Sequence, residues 1–298
     1  MPDYRRYLSP EVVSQLARID LVARLVVEGF ITGLHRSPYH GFSVEFAEHR
    51  QYMPGDPTRD IDWKAYGRTD RLYVKQYEEE TNLKAYILLD CSGSMGLKAG
   101  GSVTKFDYGS YLSAALTYLM LRQRDAVGLV TFDTRIRRYI PPRSVRSHLS
   151  VVLKELEAST TTDQTRAAET FHQMAERISR RGLIVVISDL LDDPDEVLMG
   201  LKHFRHKGHE VLVFHVLDPR ERDFAFGGEA KFVDLETQQE IRTQPWHIRQ
   251  AYQLLMSRMI DKYHRVCRES RIDYVPMDTS QDFGTALLRY LAKRSRLR

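Results

Sequence analysis

The chain has 298 residues, of which 42% are hydrophobic and 28% charged, enough apolar content for a large core and too much for wholesale disorder. Forty-four Lys and Arg face 40 Asp and Glu, and the resulting net charge of +4 is too mild to mark a nucleic-acid binder. The surplus is local: residues 258–298 hold ten Lys or Arg against five Asp or Glu.

In chain order, the first ten residues lack the apolar core of a signal peptide. Residues 11–34 read as one amphipathic helix, with Val12, Leu16, Ile19, Ala23, Val26 and Phe30 at steps of three and four. Arg18, Asp20, Arg24 and Glu28 interrupt it, whereas a bilayer-spanning helix needs ~20 mostly uncharged apolar residues. Residues 36–84 lack helical period. Phe42–Phe46 and Leu72–Tyr77 read as strands around a turn-rich stretch in which Pro54-Gly55 suits a type II turn. From Leu83 the pattern becomes α/β. Strands are expected at Ala85–Leu89, Val127–Phe132, Ile136–Ile140, Leu183–Ile187, Val211–Val216 and Ile272–Pro276. Helices are expected near 106–122, 145–157, 166–180, 195–206, 246–270 and 282–294, with a hairpin insertion near 223–243. Alternation of this kind predicts a doubly wound, mostly parallel sheet over 83–298, preceded by a helix and small β-rich element over 1–82.

The chemistry concentrates where strands end. Asp90, Ser92 and Ser94 follow the AYILL strand at two-residue steps, a spacing that can aim three oxygens at one centre. Asp189 follows the LIVVI strand, and the Thr160-Thr161-Thr162-Asp163 loop precedes a helix. If the two strands are neighbours, all three loops meet at the switch point of the sheet, where open α/β folds bind ligands. Oxygen donors alone suit a hard divalent cation, Mg²⁺ above all, with Mn²⁺ as an alternative.

These segments, DCSGSM, Thr162-Asp163 and SDLLDD, resemble the von Willebrand factor A domain with its metal-ion-dependent adhesion site. The resemblance implies a Rossmann-type topology and carries the metal ligands onto Asp90, Ser92, Ser94, Thr162 and Asp189. Thr160, Thr161 and Thr165 flank Thr162 as alternative hydroxyls, and Leu190 stands where many relatives have Gly. Upstream, Phe46, Arg50, Tyr52, Pro54-Gly55-Asp56, Arg59, Ile61-Asp62-Trp63, Arg68, Leu72, Val74-Lys75 and Glu80 resemble the signature of the bacterial domain-of-unknown-function-58 family. That resemblance implies a short soluble member acting as adaptor or co-chaperone to a MoxR-type AAA+ ATPase, with a partner's Asp or Glu carboxylate completing the metal shell.

Enzymatic readings fare worse. The second Asp of a haloacid-dehalogenase motif is replaced by Ser92, and neither a G-x-S-x-G elbow nor a P-loop is present. The expectation is therefore a non-enzymatic interaction module. A metal-assisted phosphohydrolase and a metal-free scaffold with a vestigial site are its rivals. Cys91 reads as a small packing residue, and two cysteines, Cys91 and Cys267, fit a reducing, cytoplasmic setting. The other expectations are structural. Trp63 and Tyr52 would fill the core of the β-rich element, where Arg50, Arg59 and Arg68 alternate with acids as internal ion pairs. The Arg135–Arg146 stretch would mark a charged sheet edge. His203, His206 and His209 would be a solvated helix end, as would Arg289, Lys293, Arg294, Arg296 and Arg298.

Overall fold

A computed structural model describes residues 9–13, 18–35, 49–51, 63, 66–67, 70–75, 83–161, 167–226, 230–233 and 240–296. Two compact units result: Met1–Gly33 with Leu83–Arg298, and Leu34–Asn82.

In the smaller unit, β1 (His49–Gln51) pairs antiparallel with β2 (Tyr73–Lys75). Trp63 is 60% exposed and meets Tyr66 edge-on at 6.2 Å, so it does not fill a core as its bulk suggested. The strand expected at Phe42–Phe46, the Pro54-Gly55 turn, Tyr52 and most of the expected Arg–Asp pairs lie outside the described residues.

The larger unit begins with α1 (Pro10–Val13) and α2 (Ile19–His35); Arg18 is outside both, so the stretch expected as one helix is divided. Its sheet comprises β3 (Lys84–Asp90), β4 (Ala126–Phe132), β5 (Ile136–Arg143), β6 (Leu183–Ser188), β7 (Glu210–Leu217) and β10 (Asp273–Asp278). The strand order is β10-β7-β6-β3-β4-β5, with every neighbouring pair parallel except β4–β5. Between them run α3 (Lys105–Arg122), α4 (His148–Ala158), α5 (Ala167–Arg177), α6 (Pro194–His206), α7 (Pro219–Asp223), α8 (Pro245–Glu269) and α9 (Gly284–Ser295). A hairpin of β8 (Ala230–Val233) and β9 (Glu240–Thr243) is inserted before α8. This is the doubly wound α/β sheet that the alternation predicted. No described helix is long and apolar enough to cross a membrane.

Strands β4 and β6 are buried along their whole length, as parallel strands covered on both faces must be. Alternate side chains then serve opposite layers. Tyr86, Leu88, Ile184 and Val186 join a core with Phe171 of α5, Phe204 of α6 and Tyr263 of α8. Leu89 and Ile187 face α3 instead. A Cβ on Gly109 would come within 2.9 Å of Leu89 and 3.1 Å of Ile187, so only glycine lets α3 lie this close to the sheet. Lys105, one turn earlier on the same helix face, is thereby aimed at the ends of β3 and β6.

Among the described residues, three helices end in a Schellman motif. After α8, for example, Ile272 N donates to Cys267 O at 2.8 Å and Arg271 N to Arg268 O at 3.1 Å. The left-handed position is Gly208 after α6, but Arg124 after α3 and Arg271 after α8.

Two expected solvated helix ends are corrected. Lys293 and Arg294 are buried: Lys293 pairs with Glu210 at 2.5 Å, and Arg294 grips Asp125 through Nε at 2.7 Å and Nη2 at 3.0 Å. His209 is buried beside Phe204, and His203 bridges His172 at 2.9 Å and Glu176 at 3.0 Å, leaving His206 exposed. At the sheet edge, Arg137 pairs with Asp133 and Arg138 with Glu155, so part of the Arg135–Arg146 charge is internally engaged.

Candidate functional site

The strand order reverses between β3 and β6, whose loops leave in opposite directions and open a crevice at their carboxyl ends. Leu89 and Ile187 are register partners, so Asp90 and Ser188 lie side by side just beyond them. Ser188 Oγ donates to Asp90 Oδ2 at 2.6 Å and accepts from Leu190 N at 2.9 Å. Ser92 N donates to Asp90 Oδ1 at 2.9 Å, folding the chain into a short 3-10 turn at Gly93–Gly96. That turn brings the Ser92 and Ser94 hydroxyls to 3.0 Å from each other.

The threonine loop reaches the same place. A Cβ on Gly96 would stand 3.3 Å from Thr161 Oγ1, so the glycine makes room for that residue against the turn. Thr162 itself lies outside the described residues. Leu190, which stands where Gly was noted in relatives, adopts a left-handed φ of 50°. That conformation costs a non-glycine residue about 1–3 kcal/mol, offset here by complete burial of the Leu190 side chain in the core.

Asp189 is fully buried and does not stand free. Lys105 Nζ donates to Asp189 Oδ2 at 2.7 Å and to both Glu221 oxygens at 2.9 Å. Asp189 Oδ1 accepts from Leu191 N at 3.3 Å. Neither Lys105 nor Glu221 was singled out from the sequence. One signal was present: a lysine in the first turn of a helix opposes the helix dipole and calls for a nearby acid. Glu221 was hidden as the N3 residue of the Asp218 capping box at α7. Asp218 also takes the N–H groups of Ala99, Gly100 and Gly101 at 3.0–3.1 Å, which pins the loop before α3 to the end of β7.

Electrostatics follow from this burial. Burial, with Asp189 nearby, pushes the Asp90 carboxyl up to about 7. Burial alone would lower Lys105, but the Asp189 and Glu221 carboxylates outweigh it and hold the ammonium charged. Burial raises Glu221 despite its lysine partner. His215 is pushed down to about 4 by burial and stays neutral, so Nε2–H donates to Asp189 O at 2.7 Å and Nδ1 accepts from Tyr274 OH at 2.5 Å. The Cys91 thiol rises to about 12 through burial and turns to Leu89 O, a packing role.

The donor set fits a hard cation. It offers carboxylate and hydroxyl oxygens with no free thiolate or imidazole. Lys105 faces two buried carboxyl groups, Asp189 and Glu221, and a divalent ion would favour the ionised form of the third, Asp90. Among the described residues no cluster of three or more His, Cys, Asp or Glu is arranged for a metal, so a cation would depend on the serine hydroxyls as much as on Asp90.

The metal-free charge state of Asp90 has a measurable consequence. Its folded pKa lies above the ordinary 3.8, so the folded protein takes up a proton between about pH 7 and 4 that the unfolded chain does not. In EDTA, the stability of wild type relative to Asp90→Asn is therefore expected to rise as pH falls across that window, by at most about 1.4 kcal/mol per pH unit. The opposing titration of His215 is common to both proteins and cancels in the difference. Denaturant unfolding at pH 7, 6 and 5 checks this, and a flat difference would contradict it.

An α/β domain with an acid-and-hydroxyl crevice at its switch point is thus the class of protein that fold and site define. The chain belongs to the family described as "Protein of unknown function DUF58", whose model matches residues 48–261. It is 27% identical over 234 residues to the uncharacterized proteins Rv1480 of Mycobacterium tuberculosis and Mb1516 of Mycobacterium bovis, covering 76% of this chain and 72% of each relative. Among solved structures it is similar to BatB from Bacteroides thetaiotaomicron, at 16% identity and TM-score 0.48, over 72% of this chain and 99% of that one. It is also similar to the SpRpn10 VWA domain, at 11% identity and TM-score 0.42, over 70% and 95% of the two chains.

Proposed function

We propose that this chain is a non-enzymatic protein-interaction module that captures an Asp or Glu carboxylate of a partner through a divalent cation. Asp90, Ser92, Ser94, Thr162 and Asp189 would hold Mg²⁺, or Mn²⁺ in its place. The bound ion would supply electrostatic attraction and a fixed direction of approach, with specificity coming from the surrounding surface. The observation that carries this reading is the meeting of Asp90 with the paired Ser92 and Ser94 hydroxyls beside a second buried carboxylate, where carboxyl groups outnumber cations. Lys105 takes one oxygen of Asp189, so that carboxylate is held in place and shares its charge between the ammonium and the cation.

The non-enzymatic part of the proposal rests on how the candidate nucleophiles are engaged. The Ser92 and Ser94 hydroxyls bond to each other, the Cys91 thiol is pushed far from ionisation, and His215 spends both ring nitrogens on Asp189 O and Tyr274. The partner class proposed is a MoxR-type AAA+ ATPase, with the chain acting as its cytoplasmic adaptor.

Calorimetric titration of Mg²⁺ into wild type and Ser92→Ala/Ser94→Ala provides the test. Binding is expected in wild type and at least tenfold weaker in the double variant, and equal affinities would sink the proposal. A purified MoxR-type ATPase is expected to co-elute with the chain in Mg²⁺ and to separate in EDTA. Co-elution indifferent to EDTA would favour a metal-free scaffold. Phosphate release from simple phosphoesters, abolished by Asp90→Asn, would favour a phosphohydrolase.

A further inference from the structure

We infer that the opposite edge of the sheet carries an anion site for a diphosphate group, in a cleft formed where α6, α8 and α9 end against the starts of β7 and β10. The cleft has a volume of about 580 Å³, within the range of small-ligand sites. Its cationic lining is Arg205, Arg268, Arg271, Arg289, Lys293 and Arg296, and among the described residues two acids, Glu210 and Asp273, join them.

Those two acids are already engaged. Lys293 pairs with Glu210 at 2.5 Å and Asp273 at 3.5 Å, and Arg205 pairs with Glu210 at 3.3 Å. Arg268, Arg271, Arg289 and Arg296 make no ion pair with any described residue. Among the described lining residues, six cations and two anions leave a formal +4.

The bland explanation is that these side chains offset helix dipoles, since α6, α8 and α9 all finish here. Each helix end carries about −0.5 charge, so three account for roughly −1.5. A surplus of roughly +2.5 remains. One carboxylate would leave most of it, whereas a diphosphate with two to three negative charges matches it. Guanidinium groups also suit phosphate oxygens, because their planar forks donate two parallel hydrogen bonds.

Position strengthens the case. Arg271 occupies the left-handed cap after α8, where glycine is the usual residue, at φ 56°. The Schellman bonds of that cap hold Arg268 and Arg271 on one fixed turn, so two of the four unpaired cations are placed by backbone geometry. The C-terminal charge surplus of the sequence is thus gathered by the fold around one cleft.

The diphosphate could be inorganic or belong to a nucleotide, and two titrations distinguish the sources. Inorganic pyrophosphate and ADP are each titrated by calorimetry into the full chain in EDTA at low ionic strength, so that the crevice at β3 and β6 holds no metal. Saturable pyrophosphate binding is expected. ADP binding at least as tightly assigns the group to a nucleotide, and weaker ADP binding assigns it to free diphosphate. Arg268→Gln/Arg271→Gln is expected to weaken pyrophosphate at least tenfold. Both side chains are exposed, and an unchanged unfolding midpoint verifies that the variant is folded. Ser92→Ala/Ser94→Ala is expected to bind pyrophosphate like wild type, which separates this site from the proposed metal centre. Absence of saturable binding, unchanged affinity in the arginine variant, or equally tight binding of citrate would overturn the inference.

Discussion

Replacing Lys105 with Met is expected to lower the unfolding free energy by about 3–5 kcal/mol, because it strands two buried carboxyl groups without their cation. The methionine keeps most of the apolar stem, so lost packing is a small part of the effect. Lys105 is fully buried, and its ammonium satisfies Asp189 at 2.7 Å and both oxygens of Glu221 at 2.9 Å. Nothing else described on that side neutralises either group. Adding Glu221→Gln to Lys105→Met removes one stranded charge and is expected to recover at least 1 kcal/mol. Lys105→Met by itself makes the crevice more negative, so Mg²⁺ is expected to stabilise that single variant more than wild type. Chemical denaturation in EDTA and in Mg²⁺ reads all three effects. A loss below 1 kcal/mol for the single variant would show that the triad is not held as described.

A similar loss, about 3–5 kcal/mol, is expected for Arg294→Met at the other end of the chain. Arg294 sits in α9, yet it grips Asp125, which lies between α3 and β4, through two nitrogens at 2.7 and 3.0 Å. Asp125 is buried, and Tyr290 OH also donates to it at 3.2 Å. With the guanidinium gone, the buried carboxylate keeps the Tyr290 hydroxyl but loses the charged, two-nitrogen grip of Arg294. Arg289→Met on the same helix is the control. Its side chain is exposed, and a change within about 0.5 kcal/mol is expected. Equal stability of the two variants would remove the claim that Arg294 ties α9 to the sheet.

These two lysine and arginine positions also mark where reading the sequence stops. Strands such as AYILL and LIVVI were legible because a continuous aliphatic run has few other homes, and the order of strands and helices implied the doubly wound sheet. Asp90, Ser92 and Ser94 were legible together because they follow one strand within five residues, and Asp189 because it ends another. Lys105 and Glu221 were not, since a lone lysine and a capping-box glutamate look ordinary until the fold sets them 2.9 Å apart across 116 residues. The same holds for Lys293 and Arg294, which share composition with any solvated basic tail. Trp63 errs the other way: bulk and aromaticity argue for a core position, and the residue is exposed.

The net charge of +4 divides in the same way. Composition and period are properties of neighbouring residues, so they suffice for fold class, for the strand-end acids and for the location of the basic surplus along the chain. Which charges are buried, paired or left over depends on contacts between residues far apart in the chain, 84 and 116 positions for the two partners of Lys105. Those contacts arise only when β3 and β6 come side by side and the last helix closes against the sheet. That closure turned one lysine into the counter-charge of the crevice, and the surplus at the C-terminal end into a cationic cleft at the opposite edge.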